Sequence, residues 1–516
     1  MWGRAGRGAF AMRACVNLGD LFDIEEVGAR IALIDCRDWD APESYTYGRI
    51  DALADACARG LLRRGLQRGS RVAILSANRA EFLIAYFGVM RAGLVAVPVN
   101  FRFPADTIAY ILRDAAVELV LHDATAAPAL PAHLAAVSFD HAGPGGFEAL
   151  LDPGSFATVA PQPGEPAMVL YTSGSSGRPK GVPLSHDGQL WTVAHRVAAG
   201  SFASERLLIA APLFHMNGLG TAKFALAAGA SLVLQPRFEA RRYIEAMDRF
   251  ACTWLTGVPT MYALMLKERE TLARCDLTRV RYVRMGSAPA TQHLIDAVKG
   301  TFPRASISLV YGTTESGPIA FGPHPQGRPK SSDLALGWPA RDVEVRFATP
   351  EMEAEGEGVL QIRTPAMMPG YLNLAEKTRE VLSADGWYTT GDVFTRSADG
   401  CYTFAGRTDD MINCGGENIF PAEVEGLLVR HPGIADASVV GIADAIKGEK
   451  PVAFVVLKPG AELSEDDVRR YALANAPAFQ HPRRVKFLPE LPLAGTNKVD
   501  RKALRLMAER EWPAGE

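Results

Sequence analysis

Residues 167–181 read "AMVLYTSGSSGRPKG". The first five are apolar and make a short buried strand. The next ten, Thr172 to Gly181, hold three glycines, four hydroxyls, an arginine and a lysine. Glycines allow φ > 0 and close approach of the backbone to a ligand, and hydroxyls and free N–H groups donate to phosphate. Lysine adds a mobile point charge. A strand opening into such a loop is built to hold a polyphosphate. The Walker pattern G-x-x-x-x-G-K-[ST] is nevertheless absent, because Gly181 follows Lys180. Lys180 is also the first lysine in a chain that mostly uses arginine, which marks it for a specific task.

On either side of this stretch the pattern alternates. From about residue 46, "TYGRIDALADACARGLLRRGL" has helical spacing with Thr46 as N-cap. "RVAILSAN", "LVAVPV" and "VELVLHD" read as strands, with the helices "AEFLIAYFGVMRAG" and "PADTIAYILRDA" between them. Beyond the loop, "RLLIAAPLF", "ASLVLQP", "CTWLTGVP", "VRYVRMG" and "SISLVYG" repeat the theme. Such alternation predicts βαβ units and mainly parallel sheets, hence an α/β fold with two parallel-sheet subdomains. From about Gly337 shorter strands and tight turns suit a small antiparallel or barrel-like section. A glycine-rich loop and a helix starting near Pro421 then lead into a small α+β domain.

The bulk composition excludes several classes. At 516 residues the chain is too long for one core. It is 48% apolar and 22% charged with net charge −3, which gives no reason to propose nucleic acid or an anionic membrane as partner. No apolar run reaches transmembrane length. Seven cysteines without a C-x-x-C pair favour reduced thiols in a cytoplasmic protein. The arginine-rich, acid-free start reads as a loose extension and not as a transit peptide.

Four further stretches carry candidate chemistry. "YGTTE", Tyr311 to Glu315, ends a predicted strand at the carboxyl edge of a parallel sheet, where ligands bind. Glu315 there suits Mg2+, which takes one or two carboxylates plus substrate phosphates. Read blandly, it is a solvated loop glutamate. "GWYTTGD" offers Asp392 at the end of a turn, either as a bidentate acceptor for ribose hydroxyls or as an ordinary Asx-turn. "GRTDDMINCGGENIFPAEVE" begins at Arg407 and runs through Gly415 and Gly416. "GTNKVDRKAL" places Lys498 near the C-terminus.

In this order, with "APLFHMNG" and "GSAPA", these motifs resemble the adenylate-forming superfamily of acyl- and aryl-CoA synthetases and peptide-synthetase adenylation domains. The resemblance covers the chain from about residue 18 onward. It implies an N-terminal adenylation domain over 1–406 that holds ATP and the acyl pocket, a hinge at 407–410 and a mobile C-terminal domain over 411–516. It also implies an AMP-forming acid–thiol ligase that uses ATP, Mg2+ and coenzyme A and works as a monomer or homodimer.

Residue roles follow from the same resemblance. Thr172, Ser173, Gly174, Ser175, Ser176, Gly177 and Lys180 would grip the phosphates, and Thr314 would contact the α-phosphate. Glu315 would carry Mg2+, and Lys498 would bridge the substrate carboxylate and the α-phosphate. Tyr311 would stack on adenine against Gly286, Ser287, Ala288 and Pro289, with Gly312 and Thr313 in the same site. Asp392 and Arg407 would bind ribose, Asp409 would be the hinge, and Gly415 and Gly416 would line the thiol tunnel. Two departures stand out. Ser175 and Ser176 replace a commoner threonine pair, and Asn497 stands where glycine usually precedes the lysine.

His215 falls at the mouth of the acyl pocket, where the resemblance implies gating. His215 and Met216 stand where peptide-synthetase domains tend to carry an aspartate for the substrate ammonium, which argues against an amino acid. No carrier module follows Lys498, so CoA is the expected acceptor. Phe214, Met216, Trp254, Tyr262, Pro318 and Ile319 are the expected pocket residues. They suit a medium- or long-chain fatty acid or an aromatic acid. The alternatives are an enzyme that loads a carrier protein in trans and an inactive nucleotide-binding homologue.

Overall fold

The computed structural model describes residues 15–172, 178–414, 417–444, 446–495 and 497–513. Strands and helices alternate as the apolar pattern predicts and build two parallel sheets. The first has six strands in the order Ala135–Ser138, Val117–His122, Arg71–Leu75, Val95–Pro98, Pro166–Thr172 and Lys180–Ser185. Neighbours are parallel except the last pair, which is an antiparallel hairpin. The glycine-rich stretch thus joins two hairpin strands, not a strand to a helix as in a Walker loop.

The second sheet has seven strands: Ser306–Val310, Tyr282–Gly286, Trp254–Gly257, Arg206–Ile209, Ser231–Leu234, Ile31–Asp35 and Glu43–Thr46. All neighbours are parallel except Ile31–Asp35 with Glu43–Thr46. The alternation read from residue 46 onward misses Ile31–Asp35, a short apolar run that pairs far along the chain with Ser231–Leu234.

Strand periodicity sorts the side chains. Val72 and Ile74 face one core and Ala73 and Leu75 another, while Leu207 and Ile209 oppose Leu208 in the same way. Helices Tyr47–Arg63, Ala80–Arg91, His186–Val197 and Met216–Ala227 share one core with the inner faces of both sheets. Thr46 caps the first of them by accepting from the Arg49 N–H. Ala80–Arg91 is buried on nearly every face. At Gly88 an added Cβ would lie 2.7 Å from Cys57 Cβ and 2.8 Å from the Ala54 carbonyl oxygen, so this helix and Tyr47–Arg63 touch closely.

The antiparallel section begins earlier than expected, at Phe321. Its order is Phe321–Gly322, Ala335–Pro339, Tyr402–Arg407, Tyr388–Arg396, Glu357–Arg363 and Glu344–Phe347. Among the described residues its two edge strands do not pair, so it is an open sheet. A fourth, five-stranded sheet spans Ile412–Cys414 to Arg484–Phe487, with helix Pro421–Leu428 starting where the sequence predicts. All seven cysteines are free thiols. No helix among the described residues is long and apolar enough to cross a membrane.

Candidate active site

A cleft of about 2330 Å³ opens at the carboxyl ends of the second sheet. Thr172, Lys180, Thr314, Glu315, Asp392, Arg407 and Lys498 all line it. Residues more than 300 positions apart therefore meet around one space.

Lys180 sits directly across the hairpin from Thr172. Its amine lies 3.3 Å from the Tyr371 hydroxyl and 4.3 Å above that ring. Tyr371 in turn donates to Glu315 Oε1 at 2.9 Å. A relay thus ties the end of the glycine-rich stretch to the expected Mg2+ carboxylate. Burial and the nearby Glu315 charge push the Tyr371 phenol up, so it remains a donor at neutral pH. Thr172 Oγ1 is buried without a hydrogen-bond partner, a polar group that a ligand oxygen would satisfy. Ser173, Gly174, Ser175, Ser176, Gly177, Gly415 and Gly416 lie outside the described residues.

Tyr311 directly follows strand Ser306–Val310. Gly312 is needed next, because a Cβ there would lie 2.5 Å from the Gly317 carbonyl oxygen. Glu315 is buried beyond this tight turn, and Thr313 and Thr314 remain partly exposed on the cleft side. Gly286, Ser287, Ala288 and Pro289 line the same wall. Ser287 holds φ 66, a left-handed conformation that non-glycine residues adopt at a cost.

Asp392 lies inside strand Tyr388–Arg396, not at a turn as its motif suggests. It faces Arg407 across the strand pair. Arg407 donates to Asp392 Oδ1 at 2.7 Å, and the Tyr311 hydroxyl donates to Oδ2. Burial pushes the Asp392 carboxyl up, while Arg407 and Tyr311 pull it back. A carboxylate has roughly four lone-pair sites, so two stay free for a diol. Tyr311 is thereby tied to the carboxylate as well as lining the cleft with Gly286–Pro289.

Lys498 enters from the C-terminal region on a loop closed by Ala494 N–H to Lys498 O at 2.7 Å. Asn497 has φ 60, which asparagine tolerates better than most residues and glycine takes freely. The loop thus keeps the geometry that the missing glycine would give. Arg102 donates to the Gly495 carbonyl at 3.3 Å and fastens the loop to the first sheet's side of the cleft. Burial and Arg407 push the Lys498 amine down, and Asp392 opposes them. His215 occupies the N-cap position of helix Met216–Ala227, without a side-chain capping bond, beside Phe214. Burial, then the Lys498 charge, lowers its pKa to about 4, so it is neutral at pH 7.

Of the expected acyl-pocket residues, Phe214, Met216 and Pro318 line the cleft. Trp254, Tyr262 and Ile319 do not. Trp254 opens its strand and packs against Phe202, Phe224 and Tyr282, below the carboxyl end; Thr256, two residues on and on the same face, reaches the cleft. Tyr262 is buried and donates to the Arg284 carbonyl, and Ile319 sits in the core of the antiparallel sheet. Tyr371, Arg196 and Arg284 are cleft residues that the motifs did not reveal.

The cleft is thus walled by a parallel sheet, an antiparallel section and a lysine-bearing C-terminal loop. The AMP-binding enzyme family model matches residues 23–372, and the model of the AMP-binding enzyme C-terminal domain matches residues 423–498. A 4-coumarate–CoA ligase 1 from Oryza sativa subsp. japonica is 33% identical, over 93% of this chain and 90% of its own. The ATP-bound structure of MatB from Rhodopseudomonas palustris is 27% identical with a TM-score of 0.85, covering 96% of this chain and 99% of its own. The apo form of MatB gives 0.74. The chain belongs to the AMP-binding enzyme family, the adenylate-forming acyl- and aryl-CoA synthetases. It is an AMP-forming acid–thiol ligase whose cofactors are ATP, Mg2+ and coenzyme A.

Proposed function

We propose that the protein adenylates a carboxylic acid and transfers the acyl group to CoA, with the residue roles set out here. The observation that carries this reading is Lys498 lining the same cleft as Lys180, Glu315, Asp392 and Arg407. In adenylation the acid's carboxylate attacks the α-phosphorus of ATP and pyrophosphate leaves. Two anions must meet, so positioning and charge neutralisation dominate.

Lys498 neutralises both anions at the point of attack, and Thr314 donates to the α-phosphate. Thr172, Lys180 and the stretch between them hold the outgoing phosphates. Asp392 and Arg407 bind ribose, and Tyr311 packs the adenine against Gly286–Pro289. Glu315 fits Mg2+: Tyr371 anchors one of its oxygens and leaves the other for an ion that otherwise binds phosphate. The ion supplies charge neutralisation on the phosphates. His215, neutral beside Phe214, gates the acyl pocket.

Thioester formation needs the C-terminal region, residues 411–516, to turn about 407–410 with Asp409 as pivot. Thr408 is pinned to the Gly391 carbonyl through both its N–H and its hydroxyl, which gives the pivot a fixed base. The 1–406 portion stays as the ATP and acyl platform. The acid has an aliphatic or aromatic body flanked by Phe214, Met216 and Pro318, in line with a relative named for 4-coumarate. A pyrophosphate-release screen over a panel of carboxylic acids, with and without CoA, tests the reading. Thioester formation that requires free CoA supports it, and transfer only to a carrier protein overturns the acceptor.

A further inference from the structure

The cleft carries positive charge that no carboxylate among the described residues pairs with. Arg196, from helix His186–Val197, and Arg284, from strand Tyr282–Gly286, both line it. Of the other cleft arginines, Arg407 pairs with Asp392 and Arg501 with Glu425, while Arg430 and Arg505, from the C-terminal region, line it without an ion pair among the described residues. Among the described residues neither Arg196 nor Arg284 has an ion pair. Arg196 Nη1 donates to the Gly220 carbonyl at 2.9 Å, and its guanidinium lies 4.2 Å over the Phe224 ring. Its Nη2 is buried with no hydrogen-bond partner.

Lys223 stands behind Arg196, fully buried, and donates to the Gln189 amide oxygen at 2.6 Å. The neighbouring wall is polar too. Thr256 donates to Asn217, which reaches Ser287 at 3.4 Å, and Thr221 lines the same cavity. An apolar acyl tail would have to lie against these groups and leave two guanidinium ions desolvated.

We propose that the acid activated here carries a second anionic group, a distal carboxylate, held between Arg196 and Arg284. This rests on the ligase reading above and names its substrate class: dicarboxylic acids activated at one end. One carboxylate faces Lys498 and forms the acyl-adenylate, while the other stays unchanged on the arginine pair. Guanidinium groups match a carboxylate through planar, paired N–H donors, and such charge-assisted bonds are the stronger kind. Burial and mutual repulsion push the Arg196 guanidinium down, and burial lowers Arg284 to about 10, a strain that a bound anion relieves.

The test compares each diacid with a monoacid of similar length and shape: glutarate with valerate, adipate with hexanoate, terephthalate with 4-methylbenzoate. Pyrophosphate release is followed with the full-length enzyme, ATP and CoA. A site built to bind a polar group rejects the analogue lacking it strongly, so kcat/KM should favour the best diacid by on the order of 100-fold or more. Arg284→Met and Arg196→Met should each erase that preference and raise monoacid turnover, while Arg284→Lys should keep part of it. Loss of packing alone would lower both substrates together. The wild-type comparison needs no variant, so a misfolded variant cannot rescue the idea. Equal or better use of monoacids overturns the inference and leaves the ligase reading intact. No pyrophosphate from any acid, with ATP still raising the melting temperature, overturns the ligase reading itself.

Discussion

Lys498 is partly buried with Arg407 and His215 nearby, so its charge is retained at a cost that a purely structural lysine would not incur. Lys498→Ala should slow adenylation about 10²–10³-fold, roughly 2.7–4 kcal/mol, as expected for one lost transition-state donor. The variant should still make thioester from a supplied acyl-adenylate, and equal losses in both half-reactions would show that the lysine only supports the loop. His186 illustrates the opposite use of a titratable residue. Its Nδ1 accepts the Leu18 N–H at 3.0 Å, and burial lowers its pKa from 6.5 to about 4. Between those values the unfolded chain takes up a proton that the folded one refuses. The histidine's contribution should therefore fall as pH drops from 6.5 to 4, by up to about 3 kcal/mol, and change no further below 4. Urea titrations of the wild type and His186→Asn across that range check it; parallel curves would rule the histidine out as the source.

Among the secondary-structure elements, the contact between Tyr47–Arg63 and Ala80–Arg91 has no room at Gly88. Gly88→Ala should cost about 1–3 kcal/mol through overpacking, despite alanine's better helix propensity. A melting temperature at or above that of the wild type would show that the helices can move apart. Elements of this kind were legible in the sequence, since apolar periodicity and caps such as Thr46 are local signals. So was the meeting of Tyr311, Glu315 and Lys498 in one cleft, since they sit in short motifs at a strand end or in loops; Asp392 reaches the same cleft from inside a strand, not from the turn its motif suggests. Tyr371 was not, because its contacts with Lys180 and Glu315 join distant loops and leave no spacing to read. The pocket was half legible for a geometric reason. Trp254 and Thr256 share a strand face, and only the tertiary placement of the carboxyl end decides which one meets the cleft. Arg196 and Arg284 belong to none of the motifs, and only the fold brings this helix residue and this strand residue to one cleft.

Across the whole molecule, the chain matches ATP-bound MatB better than its apo form, which accords with Lys498 lying in the cleft. A second half-reaction would then demand a turn at 407–410. Proline fixes φ near −65°, so Asp409→Pro should let pyrophosphate form while acyl-adenylate accumulates and thioester falls. An unchanged melting temperature with full thioester yield would remove Asp409 from that role. The strand Ile31–Asp35 sets a different constraint on the same chain. It leaves the ribosome about 200 residues ahead of its parallel partner Ser231–Leu234, an interval of roughly 10–40 s at 5–20 residues per second. Until then its one strand partner is Glu43–Thr46. The second sheet is thus completed from its earliest-made piece, and the nascent chain must keep an apolar edge from straying while most of the sheet is still being translated.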